Sequence, residues 1–186
     1  QNMQLIFQDP YASLDPRKSV VEIIAEYMII NRTYPSKKEI YNYAAHLMDI
    51  VGLARRYANA YPHELDGGRR QRIGIARALS LHPKFIVCDE PVSALDVSIQ
   101  AQILNLLMDL QDEMNLTYMF VTHDLSVVKH ISNHIMVMYL GQCLELSTSD
   151  ELFKRPLHPY TQALLSAIPE PDISMRNKEI KVIQGE

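Results

Sequence analysis

Four polar positions in this chain are of the types that move phosphoryl groups: Gln8, the adjacent pair Asp89 and Glu90, and His123. Each follows a short apolar run, where a strand would end. Phosphoryl transfer to water needs a carboxylate for a magnesium ion's shell, a group to orient or deprotonate the water, and a polar sensor for the terminal phosphate. Adjacent carboxylates at a strand end point in different directions, so one can serve the metal while the other addresses the water. Taken alone, such a pair more often marks a solvated strand end. A second stretch, Leu65-Asp66-Gly67-Gly68-Arg69-Arg70-Gln71-Arg72, places two glycines ahead of a helix-favouring run to Leu79. Such glycines let the backbone approach a ligand and aim helix N–H groups at an anion. Asp66 is also a good helix cap, so the stretch reads as well as an ordinary loop entering a basic helix.

The elements that must position these groups follow from periodicity. Met3 to Phe7 reads as a strand broken at Gln8-Asp9-Pro10. From Ser19 to Asn31, Val20, Ile23, Ile24, Tyr27 and Met28 recur at helical spacing. Ser36 with Glu39 predicts a capping box for a second helix through Ile40, Tyr43, Leu47 and Val51, closed by Gly52. Residues 19 to about 80 are thus mainly helical. Phe85 to Cys88 predicts a parallel strand covered on both faces, and carboxylates at its C-terminal end lie where α/β sheets place ligands. Asp96 predicts the cap of a helix to Met114, whose stripe is Ile99, Ile103, Leu106, Leu107 and Leu110; the strand Thr117 to Val121 completes a βαβ unit. A helix from Leu125 to Ile131 follows, then a hairpin of Ile135 to Tyr139 and Gln142 to Leu146. Thr148 with Glu151 predicts another cap, and a last helix covers Tyr160 to Ile168, stopped by Pro169 and Pro171.

Composition limits the alternatives. The 186 residues, 47% hydrophobic and 22% charged, suffice for one sizeable domain with a core. A net charge of −4 argues against a general nucleic-acid binder. The longest apolar run is strand-sized, so any membrane role goes through partners. Cys88 and Cys143 both lie in apolar runs and are expected as buried reduced thiols, which fits a reducing compartment. His123, His130 and His134 straddle a helix and a strand start, which disfavours a zinc set. Arg69, Arg70, Arg72 and Arg77 are expected on a solvated or interface face, and Met119, Met136 and Met138 in the core. The chain opens at Gln1 almost inside an apolar run, as if cut from something longer.

In order, these motifs resemble the nucleotide-binding subunit of an ABC transporter from the Q-loop onward. Gln8 matches the Q-loop glutamine, Leu65 to Arg72 the signature, Phe85 to Glu90 the Walker B strand with its following glutamate, Ser93-Ala94-Leu95-Asp96 the D-loop, and His123 the switch histidine. Phe7 to Leu14, Glu90 to Gln100 and Pro156 to Thr161 resemble the oligopeptide/dipeptide importer branch. The resemblance implies an α/β fold: a partial P-loop NTPase (RecA-like) core with an α-helical subdomain and a short C-terminal extension. Its divisions would be 1–8 for the core strand and Q-loop, 9–80 for the helical subdomain, 81–147 for the ATPase core and 148–186 for the extension. It implies ATP and magnesium as ligands, with Glu90 as catalytic base, Asp89 on the magnesium shell, Gln8 sensing the metal and coupling to a permease, and His123 on the γ-phosphate. Asp66, Gly67, Gly68 and Arg69 would complete the nucleotide site of a second ATPase subunit, and Asp96 would communicate across that dimer. The implied partners are integral membrane permease subunits and, indirectly, an extracytoplasmic substrate-binding protein, with no nucleic acid. The implied place is peripheral, at the cytoplasmic face of the cell membrane.

The chain departs from that pattern twice. No Gly-x-x-x-x-Gly-Lys-Ser/Thr is present: the glycines are Gly52, Gly67, Gly68, Gly74, Gly141 and Gly185, and none precedes a lysine. The isolated chain is therefore expected to bind ATP weakly and hydrolyse none. The signature's usual serine is Asp66 and its usual first glutamine Arg69, which places a carboxylate where a phosphate would dock. The alternatives are a non-catalytic subunit that docks on a permease beside an active partner, and a soluble ABC ATPase of repair or translation. The latter needs a coiled-coil insertion or second ATPase half that is not in these residues.

Overall fold

The computed structural model describes residues 2–167, and the contacts divide the chain into two compact units, 1–122 and 123–186. In the first unit, β1 (Met3–Ile6), β2 (Phe85–Asp89) and β3 (Thr117–Val121) form a parallel sheet in that order, with Ile6 opposite Cys88 and Cys88 opposite Phe120. Between β1 and β2 the chain makes α1 (Val20–Asn31), α2 (Lys37–Ile50) and α3 (Gly67–Leu79), with short 3-10 turns at Arg55–Tyr57 and Pro62–Glu64 between α2 and α3. The parallel crossover from β2 to β3 is α4 (Val97–Met114).

Local signals account for these boundaries. At α1 the Ser19 N–H and hydroxyl both donate to the Glu22 carboxylate, at 2.8 and 2.7 Å, a pairing the spacing Ser19–Glu22 encodes. At α2 the Ser36 hydroxyl accepts from the Glu39 N–H at 3.3 Å. Gly52, with φ of 67°, takes the left-handed conformation that ends it. α1 packs against α3, and Val20, Ile24 and Met28 of α1 and Ile73 and Leu79 of α3 are all fully buried.

The sheet corrects one expectation. Gln4, Ile6, Ile86, Cys88, Tyr118 and Phe120 face one side, where Ile6, Ile86 and Cys88 are buried. On the other side Met3 is 63% exposed, Leu5, Met119 and Val121 are also exposed, and Phe85 and Val87 of β2 are half-buried, so β2 is only partly covered on that face and Met119 is not core. The cause is the two-residue period of a strand, which sends equally apolar neighbours to opposite faces.

The second unit contains α5 (Leu125–Ile131), the antiparallel pair β4 (His134–Tyr139) and β5 (Gln142–Thr148), α6 (Ser149–Lys154) and α7 (Pro159–Ser166). Leu140 and Gly141 both have positive φ, as a two-residue hairpin turn requires. Ile135, Val137 and Leu152 form the centre of its core, with Val128, Phe153, Tyr160 and Leu164 against them. Met136 and Met138 alternate with the buried pair and are exposed, and Cys143 is exposed too, so none of these three is core. The expected last helical residue Ile168, the stop at Pro169 and Pro171 and the remainder of the extension, 168–186, lie outside the described residues.

Candidate functional site

Gln8 and Glu90, 82 positions apart, meet because β1 and β2 run parallel and end side by side. The Gln8 amide Nε2 donates to Glu90 Oε2 at 2.8 Å. Glu90 has φ of 43°, in the left-handed region, which costs a non-glycine residue about 1–2 kcal/mol. Hydrogen bonds hold it there. Its N–H donates to the Val121 carbonyl at 2.8 Å, and its own carbonyl accepts from the Ser93 N–H at 3.3 Å and the Ser93 hydroxyl at 3.1 Å. Strain fixed in this way marks functional sites more than packing sites. Asp89, the last residue of β2, is exposed beside it and remains in strand register with Val121.

After Gln8 the chain turns sharply. Asp9 Oδ1 accepts from the N–H groups of Tyr11 and Ala12 at 2.7 and 3.2 Å. These two bonds fix the turn that follows Gln8.

A second cluster forms where α3 begins. Asp66 Oδ1 accepts from the Arg69 N–H at 2.8 Å, capping the helix, and Oδ2 pairs with the Arg69 guanidinium. That guanidinium also lies 5.0 Å from the centre of the Tyr57 ring. The glycines have a packing role here. A Cβ on Gly68 would stand 2.6 Å from Ile99 Cγ2, and one on Gly67 3.1 Å from Leu95 Cδ2. Asp96 lies between those contacts and caps α4 by accepting from the Ile99 N–H at 3.0 Å. The structure therefore brings Asp66, Gly67, Gly68 and Arg69 against the Leu95–Ile99 segment that contains Asp96.

His123 begins the second unit, two residues after β3 ends. The next residue, Asp124, caps α5 through the N–H groups of Ser126 and Val127 at 2.8 and 3.4 Å.

Sequence reasoning missed the work of the α3 arginines. Arg70 Nε donates to the Pro62 carbonyl at 2.7 Å, Arg72 to the Val51 carbonyl, and Arg77 Nη1 to the Ser13 carbonyl at 2.6 Å. Arg77 is buried, so the expectation of a solvated or interface face fails for it. Only contacts distant in sequence reveal this. Glu145 was missed as well. It accepts from the N–H groups of Leu157 and His158 at 2.9 and 3.1 Å, holding the Pro156–Thr161 segment to β5. Burial pushes its carboxyl up, but the two N–H groups it accepts from help bring it net below the usual range.

The donor chemistry fits a hard cation. Asp89 and Glu90 offer carboxylate oxygens, and an amide that donates through nitrogen keeps an acceptor oxygen on its other arm. Among the described residues no three of His, Cys, Asp and Glu gather as a metal cage. Magnesium is commonly held by only one or two carboxylates, with water and substrate phosphates completing its shell.

The ABC transporter family matches residues 1–93, and the C-terminal region of the oligopeptide/dipeptide transporters matches residues 144–186. The oligopeptide transport ATP-binding protein OppF of Bacillus subtilis is 56% identical over 97% of this chain and 59% of its own length. OppF of Salmonella typhimurium is 55% identical over 100% of this chain and 56% of its own. The dipeptide transport ATP-binding protein DppF of Escherichia coli is 53% identical over 98% and 54%. The chain thus spans a little over half the length of these relatives. Among solved structures, the dimeric post-hydrolysis ATP-binding cassette MJ0796, bound to ADP and Pi, superposes with a TM-score of 0.70 at 30% identity, over 80% of this chain and 63% of that one. The cbiO1 protein of Clostridium perfringens, part of the transporter complex cbiONQ, gives 0.73 at 25% identity, over 83% and 60%. These cassettes share the α/β core described above, and with the family pattern matched over half its residues, this chain belongs to the ABC transporter family.

Proposed function

We propose that the chain is part of an ATP-hydrolysing subunit that energises an ABC importer of oligopeptides or dipeptides. The observation that supports this best is the Gln8–Glu90 contact, made by a glutamate held in a strained conformation at the end of β2. In this reading Glu90 takes a proton from water as the water oxygen attacks the γ-phosphorus; the bond to the bridging oxygen breaks and ADP leaves with its electron pair. Asp89 and Gln8 would hold magnesium, which when bound neutralises charge on the β- and γ-phosphates. His123 would contact the γ-phosphate. Asp66, Gly67, Gly68 and Arg69 would face a second subunit's nucleotide, with Asp96 at the same interface. Permease subunits would receive the motion, a substrate-binding protein would deliver peptide outside, and the subunit would sit peripherally at the cytoplasmic face of the membrane.

The Asp66–Arg69 pair supports a second reading. A carboxylate at the phosphate-facing end of α3 weakens that composite site, so one strong and one weak site would operate, and in the limit this subunit would dock while its partner hydrolyses ATP. The triphosphate's glycine-rich lysine loop is not among these residues, so the 186-residue chain alone should bind ATP weakly and turn none over. Purified chain and full-length protein are compared for ATP binding by calorimetry and for phosphate release. Turnover by the isolated chain that Glu90→Gln blocks would refute its inactivity.

A further inference from the structure

Arg77 is the one charged side chain buried among the described residues, 7% exposed, in the last turn of α3. A buried cation is costly unless its donors are engaged, and an apolar side chain of similar volume would serve packing at least as well. Its contacts show what the charge is used for. Nη1 donates to the Ser13 carbonyl at 2.6 Å, and the guanidinium lies 6.0 Å from the centre of the Phe7 ring and 5.7 Å from that of Tyr27 on α1. Phe7 immediately precedes Gln8. Ser13 closes the turn that follows it, its N–H donating to the Asp9 carbonyl at 3.2 Å. Arg77 therefore grips the chain on both sides of Gln8.

Gln8 lies beyond the end of β1, outside the strand ladder, and its side chain is exposed. Its reach to Glu90 is set by where its backbone is held. We infer that Arg77 is a positioning residue that sets the Gln8 amide on Glu90 and ties that contact to the helix bearing the Asp66–Arg69 pair. A planar, permanently charged fork suits this task, because it can stack on two rings while donating in its own plane. The inference rests on the proposed catalytic roles of Gln8 and Glu90, and it adds a route by which movement of α3 reaches them.

The test is a double-mutant cycle in the full-length protein assembled with its permease, using Arg77→Met, Arg77→Lys, Gln8→Ala and both double variants. Steady-state ATPase is measured against ATP and magnesium concentration. Arg77→Met should lower kcat about tenfold with KM for ATP within about twofold, as expected when an interaction of the transition state is lost. Added to Gln8→Ala it should cost less than about a further twofold, because the contact it positions is already gone. Arg77→Lys keeps charge and donor without the planar stack and should fall between. Should Arg77→Met not fold, the Arg77→Lys cycle decides by the same criterion. Losses that multiply assign Arg77 to packing alone and overturn the inference. A silent Gln8→Ala instead removes the role given to Gln8 in the proposed function, and the inference with it. Hydrogen exchange gives a readout independent of turnover. Amides of residues 9–13 should exchange faster in both Arg77 variants while those of α4 hold, and unchanged exchange at 9–13 also overturns it.

Discussion

Under the proposed function, replacing Asp66 by Ser isolates the cost of a carboxylate at a helix end that would face a phosphate. Two unit charges about 4 Å apart repel by about 4 kcal/mol at an effective dielectric near 20. The structure reduces that figure. The Asp66 and Arg69 side chains are 56% and 43% exposed, and they form an ion pair, so much of the charge is compensated before a phosphate arrives. Screening at such exposure leaves about 1–1.5 kcal/mol, or about tenfold in affinity. Ser caps as well as Asp, accepting from the Arg69 N–H, so stability should change by no more than about 1 kcal/mol. In the assembled transporter, Asp66→Ser should therefore raise apparent ATP affinity about tenfold with an almost unchanged melting temperature. Arg69→Gln alone leaves the carboxylate uncompensated and should lower affinity by a similar factor, while the double variant should show higher ATPase activity than the parent. Titration with a fluorescent ATP analogue at low and high salt reads all three, and the differences should shrink at high salt. No change in Asp66→Ser, or a gain in Arg69→Gln, refutes the electrostatic reasoning.

Two further outcomes follow from packing and burial. Gly68→Ala drives a methyl to within 2.6 Å of Ile99 Cγ2 and should destabilise the protein by about 1–3 kcal/mol in urea unfolding, whereas Gly67→Ala, meeting Leu95 at 3.1 Å, should cost less. Burial pushes the Cys88 thiol up to about 12, so the unfolded chain releases this proton first as pH rises. Its contribution to stability is full below about pH 9 and is lost between about 9 and 12. Alkaline unfolding of Cys88→Ala should lack that component, and at pH 8 a thiol reagent should modify Cys143 in the folded protein and reach Cys88 only on unfolding.

The helices and strands were legible because their signals are local. Periodicity placed α1, α2 and α4, and Asp96, Thr148 and Gly52 marked the ends the structure shows. Which side of a strand is covered was not legible. Met119, Met136, Met138 and Cys143 have the composition of core residues and the alternation phase of the open face. At the candidate site, residue types and their order gave Gln8, Asp89 and Glu90, while the left-handed turn of Glu90 and the Gln8 contact depend on parallel pairing between segments some 80 residues apart. The glycine pair was read as an approach to ligand, and its fit against Leu95 and Ile99 needed the packing of α3 on α4. Arg77 was lost for the same reason, since a buried arginine and a surface one look alike in sequence.

The most direct measurement is peptide uptake and ATP hydrolysis by the full-length protein, reconstituted in vesicles with the permease and binding protein proposed above, with and without Glu90→Gln. The substitution keeps the volume of the side chain and removes its basicity, so hydrolysis should fall by about 10²–10⁴-fold and uptake with it, while ATP binding persists. Undiminished hydrolysis in the Glu90→Gln transporter would contradict the assignment of Glu90 as the base.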